Sequence, residues 1–141
     1  MPHPPTTRMP KAPAYLKHPQ PALLGLVLIA LIAHPSLLCA ELTADPNART
    51  PQQPSIGTSA SGIPLVQITT PTAGGVSRNQ YLRYNVDPQG LILNNARIIT
   101  NTQLGGYIEG NPNLANGSAR IILNEVTSTH PSFLRGFTEI A

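Results

Sequence analysis

From residue 63 onward the chain alternates short β-type runs with turns built from Gly, Asn and Pro, and no other feature restricts its fold as strongly. The runs are PLVQIT (64–69), QYLRYNV (80–86), GLIL (90–93), RIIT (97–100), GYIE (106–109), ARIILNEV (119–126) and FTEI (137–140). None keeps the i, i+3, i+4, i+7 spacing of an amphipathic helix beyond one turn, and β-branched residues dominate, so the expected fold class is all-β. Between the runs, Asn94-Asn95, Gly105-Gly106, Asn111-Pro112 and Asn116-Gly117 suit positions where the backbone reverses or takes a positive φ.

Two architectures accommodate regular short strands without helices: an antiparallel sandwich and a parallel β-solenoid. Composition leans towards the second without excluding the first. A sandwich usually buries aromatic anchors, yet residues 63–141 hold no Trp and only Tyr81, Tyr84, Tyr107, Phe133 and Phe137. A solenoid stacks Ile, Val and Leu in columns and uses Asn at its corners, and ten asparagines lie between Asn47 and Asn124. Its first coil needs a cap, because an open end presents unpaired strand edges.

The N-terminal part reads differently. Residues 22–33, ALLGLVLIALIA, are apolar, with Arg8, Lys11 and Lys17 upstream and His34-Pro35 directly after. A helix of that length spans about 18 Å, short of the roughly 30 Å hydrocarbon core. A basic region, a short apolar run and a small residue at the end of Leu38-Cys39-Ala40 make residues 1–40 an expected signal peptide, cleaved between Ala40 and Glu41. No stable membrane insertion is expected after cleavage. Cys39 is the only cysteine and would leave with the peptide, so no disulfide or thiolate site would remain; Leu38 before it disfavours lipid attachment. Residues 41–62 are rich in Pro, Ser, Thr, Ala and Gln and read as a flexible linker, which leaves 63–141 as the folded domain.

Charge excludes several classes of function. The pI of about 9.4 reflects the three cations of the leader, since residues 41–141 balance six arginines against six acids and contain no lysine. Phosphate-backbone binding needs Lys and Arg clustered on one face, so nucleic acid is not an expected partner. Asp87, Glu109, Glu125 and Glu139 follow Asp45 without the spacing of a catalytic pair, and His130 is the only histidine after residue 40. That set offers neither a metal site, nor a cofactor site, nor a nucleophile with its base, so no enzyme is expected.

The stretches NVDPQGLILNN (85–95), NTQLGGYIEGNPNLANGSARIILNEVT (101–127) and PSFLRGFTEIA (131–141) resemble the N-terminal two-partner-secretion (TPS) domain of filamentous haemagglutinin-like exoproteins. The contact-dependent growth inhibition (CdiA-type) proteins of Gram-negative bacteria belong to that group. The resemblance covers residues 62–141 and includes the tetrad Asn111, Pro112, Asn113 and Leu114. It implies a right-handed parallel β-helix with an N-terminal β cap, incomplete at the C-terminus because the family's domain is longer. It also implies a secretion-signal module of an adhesin or contact-dependent inhibition system, recognised in the periplasm by the POTRA domains of an outer-membrane TpsB-type β-barrel transporter. The protein would then be secreted or displayed on the cell surface. The alternative is a β-helix that binds or degrades polysaccharide, which would need clustered acids or aromatics in a groove. The tetrad is expected to be a tight structural turn, or else a direct recognition element. Arg78, Arg83, Arg97, Arg120 and Arg135 could meet acidic transporter loops, although solvated strand faces commonly carry such residues.

Overall fold

The computed structural model describes Met1 and residues 41–141, so the signal-peptide expectation, with Cys39 and Ala40, lies outside the described residues. The chain divides into two units, Met1–His34 and Pro35–Ala141, and the second holds all the elements described below. Nine strands form among the described residues: β1 (Leu42–Ala44), β2 (Ser55–Thr58), β3 (Pro64–Gln67), β4 (Val76–Tyr84), β5 (Leu91–Asn94), β6 (Thr100–Thr102), β7 (Gly106–Ile108), β8 (Ile121–Val126) and β9 (Thr138–Ile140). Two single-turn 3-10 segments, Thr50–Gln52 and Pro112–Leu114, are the only helical pieces among them.

The chain returns repeatedly to the same sheets in parallel. Leu65 of β3 lies opposite Ile92 of β5, and Ile92 lies opposite Glu139 of β9. In a second sheet Val76 to Tyr81 of β4 run beside Ile121 to Val126 of β8. Val86 and Leu134 form a further parallel bridge. The β6–β7 hairpin is a separate two-stranded sheet. The all-β expectation therefore holds, and it includes stacked parallel strands. The three sheets remain separate, and no closed coil forms among the described residues.

Residues 41–62 are not a linker. β1 pairs antiparallel with β4, and β2 pairs antiparallel with β3, so this segment lies along the first strand of each parallel stack. Composition misleads here because the segment carries little apolar content: Leu42 of β1 packs on the core, but all four residues of β2 are exposed and that strand is held by its ladder bonds. A 3-10 turn at Thr50–Gln52 joins them, and Gln53 ties it down by donating from Nε2 to the carbonyls of Pro46 and Ala48.

The core explains the apolar run at β5. Leu91 and Leu93 face one cluster with Val66, Ile68, Tyr81, Tyr84, Val86 and Leu114, while Ile92 faces a second with Leu65 and Ile108. A parallel strand covered on both faces has no polar side, which is why its sequence does not alternate. The segment 131–137 approaches so closely that a Cβ on Gly136 would collide with the carbonyl oxygen of Asp87. Only glycine fits there.

The run RIIT, expected as a strand over 97–100, is mostly loop. The strand begins at Thr100, and Ile98 and Ile99 are exposed. Arg97 is the reason: its guanidinium donates to the carbonyls of Leu114 and Ala115, which holds this segment against the next turn instead of in a sheet.

Candidate functional site

The tetrad Asn111, Pro112, Asn113 and Leu114 forms a 3-10 turn whose polar atoms point inward. Pro112 occupies the first turn, where a missing amide hydrogen removes nothing. The Asn111 side-chain oxygen accepts from the Asn113 backbone N–H at 2.9 Å, capping the turn. Its Nδ2 donates to the carbonyls of Ile68 (3.0 Å) and Asn94 (2.9 Å). Asn113 Nδ2 donates to the same Ile68 carbonyl at 2.9 Å. Leu114 is buried in the larger core cluster, and Pro112 faces solvent. The turn thus staples the segment after β3 to the end of β5, with its two amides reaching the Ile68 carbonyl and that of Asn111 also reaching Asn94.

Asn94, which the sequence marks only as a turn residue, completes this network. It is fully buried, and its Nδ2 donates to Gln67 Oε1 (2.9 Å) and the Glu109 carbonyl (2.8 Å), while its oxygen accepts from the Ala96 N–H. Asn95 closes the other side by a reciprocal pair of bonds with Ala119. A doublet of asparagines seventeen residues before another Asn was the available signal, but spacing alone does not say which carbonyls they meet.

The five candidate arginines have different fates. Arg78 and Glu125 form a bidentate pair across β4 and β8, with Nη2 to Oε1 at 3.0 Å. The guanidinium holds the Glu125 carboxyl below its usual range, and the carboxylate raises Arg78 in turn. Arg83 meets Glu41 at 3.1 Å. Arg97 clamps the tetrad turn, and Arg135 lies 4.9 Å above the Phe133 ring. Arg120 has no ion pair among the described residues.

The acids are scattered. Glu139 accepts from the N–H groups of Gln103 and Leu104, Asp45 accepts from Asn47 N–H and Thr127 Oγ1, and Asp87 has a buried oxygen without a partner. His130 is exposed. Among the described residues no three metal-binding side chains come together, and no helix is long and apolar enough to cross a membrane. Burial raises the Tyr81 and Tyr84 hydroxyls, Tyr84 to about 12, so both stay protonated as hydrogen-bonding groups around Asn124.

Comparison with known proteins agrees with this arrangement. The chain is 52% identical over 102 residues to Toxin CdiA of Yersinia pestis, covering 72% of this chain and 3% of that protein. It is 39% identical over 118 residues to a hemolysin of Serratia marcescens, covering 84% of this chain and 7% of the relative. The crystal structure of a filamentous hemagglutinin secretion domain superposes with a TM-score of 0.61 at 34% identity, over 70% of this chain and 31% of that one. The chain therefore spans a small fraction of the relatives it matches. A family model described as the TPS secretion domain, a secretion module rather than a catalyst, matches residues 40–141. With most of its length inside that match, the chain belongs to the TPS secretion domain family.

Proposed function

We propose that residues 41–141 are the N-terminal part of the secretion signal of a two-partner-secretion exoprotein of the adhesin, hemolysin or contact-dependent inhibition type. A TpsB-type outer-membrane transporter recognises it through periplasmic POTRA domains, and the exoprotein reaches the surface or the medium of a Gram-negative cell. The observation that carries this reading is the family match over all of residues 41–141, together with the likeness to the filamentous hemagglutinin secretion domain. Residues 1–40 act as the signal peptide, removed after Ala40 so that the mature chain begins at Glu41, directly before β1. The stacked parallel strands with antiparallel β1 and β2 along them support the N-terminal cap and first coils of a right-handed parallel β-helix.

Within this reading the tetrad serves folding rather than docking. Asn111 is buried, and both side-chain amides are directed at backbone inside the molecule, which leaves Pro112 as the outward face. The test measures export and stability on the same variant, carried by the exoprotein in a strain that has the transporter. Asn111→Ala is expected to lower both together, and export lost with an unaltered melting curve would make the tetrad a direct recognition site. N-terminal sequencing of periplasmic material should begin at Glu41; a lipid-bearing N-terminus at Cys39 would overturn the processing step.

A further inference from the structure

We propose that the groove between residues 71–75 and 116–120 is a carboxylate-binding site that takes an acidic side chain of a partner protein. The groove has a volume of about 450 Å³ and is lined by Pro71, Thr72, Gly75, Asn116, Ser118 and Arg120, among others. No acid lines it, so Arg120 sets its charge. Elsewhere Arg78 and Arg83 are neutralised by Glu125 and Glu41, Arg97 is spent on two carbonyls, and Arg135 lies over a ring. Arg49 and Arg120 have no such partner among the described residues, and of these Arg120 lines the groove.

The arginine is also positioned. Gly75 has φ +79°, and a Cβ there would fall 2.8 to 3.1 Å from Cδ, Cγ and Cβ of Arg120. The stem therefore lies flat across the glycine, and the Gly75 carbonyl accepts from the backbone N–H of both Arg120 and Ile121. A held stem with an unengaged guanidinium presents a fork of donors at low entropic cost, the geometry that matches a carboxylate in two parallel bonds. The hydroxyls of Thr72 and Ser118 and the amide of Asn116 supply further donors along the same walls; Thr72 Oγ1 is otherwise used only as an acceptor, from the Val76 N–H. One cation without neighbouring lysines suits a single acidic side chain better than a polyanion, whose binding needs several cations on one face.

The identity of the partner rests on the transporter reading, and the preference for a carboxylate rests on the groove itself. The ¹⁵N-labelled full chain is titrated with a capped Gly-Ser-Glu-Ser-Gly peptide, with its Gln counterpart, and with inorganic phosphate. The Glu peptide should shift the Gly75, Gly117 and Ser118 amides and the Arg120 Nε–H, and the Gln peptide should not. Arg120→Met keeps the stem over Gly75 and removes the charge; it should weaken binding at least about tenfold with an unaltered melting curve, whereas Arg49→Gln should leave binding unchanged. Equal binding of the Gln peptide, or tighter binding of phosphate than of the Glu peptide, overturns the carboxylate site. In the producing strain, deletion of the transporter gene tests the transporter reading by itself. If that deletion stops export but Arg120→Met exports normally, the groove is not where the partner docks, and the secretion reading stands.

Discussion

Asn111 holds more of the tetrad turn than its neighbours, because it is the only member whose side chain both caps the turn and joins the ends of β3 and β5. Replacing it by Ala strips a side-chain donor from two carbonyls in a buried setting and uncaps Asn113, which should cost about 2 kcal/mol. Asn113→Ala removes one half-buried bond to a carbonyl that Asn111 still serves, and about 1 kcal/mol is expected. Pro112→Ala acts through the unfolded chain and should cost about 0.5 kcal/mol. Urea midpoints should therefore rank the variants in that order, and equal losses for Asn111 and Asn113 would contradict the bridge between the ends of β3 and β5. The four letters and their turn character are readable from sequence. The division of labour among them is not, since it depends on carbonyls at positions 68 and 94 that only the parallel pairing of β3 and β5 brings near. Gly136 shows the same limit: nothing in FLRGFTEI announces that the backbone of Asp87 lies where its Cβ would be.

The strands that were legible are those whose inward residues are apolar. β4 was expected from Gln80 but begins at Val76, because its first inward positions are Ser77 and Asn79, whose polar groups are paired with Thr69 in the core. A hydrophobic pattern cannot register a strand that turns satisfied polar groups inward. β1 and β2 escaped for a related reason, being defined by their partners. The ladder between Ser55–Thr58 and Pro64–Gln67 predicts that β2 amides bonded to β3 exchange with solvent slowly, where a linker would exchange at the rate of an open chain. Across β4 and β8, Glu125 makes a second, pH-dependent prediction. Its folded-state carboxyl is held below the ordinary value near 4.5 by Arg78, so its contribution is present above that value and is lost as pH falls through the lower folded one. Glu125→Gln should flatten that part of the acid limb in urea unfolding and leave the slope at neutral pH unchanged. An acid limb identical to that of the parent chain would show that the exposed pair contributes nothing to folding.

At the scale of the molecule, all-β character was open to sequence reasoning, because it follows from local pattern and composition, whereas the edge-to-face pair of Tyr81 and Tyr84 that anchors the larger core cluster was not. Which strands flank β3 and β4 was not either, since β1 and β2 are short and β2 is wholly exposed. The arrangement leaves the two ends of the sheets unlike one another. At one end β1 and β2 are short, and β2 carries Gly57. At the other, β8 offers six residues without Pro or Lys, Ile140 of β9 lies opposite Leu93 and is 60% exposed, and Leu134 lies opposite Val86 and is 70% exposed. An edge of that length with apolar neighbours and little charge is a template for further strands, either those of a following coil or those of another molecule. Residues 41–141 prepared as a separate polypeptide should therefore show β-type circular dichroism and associate more as concentration rises. Leu134→Lys with Ile140→Lys places charge at that end without touching β1, β2 or the tetrad, so it should shift sedimentation towards monomer while the spectrum stays the same. A parent polypeptide that remains monomeric at every concentration would mean that the β8 and β9 edges are already protected, and the apolar side chains beside them would need another explanation.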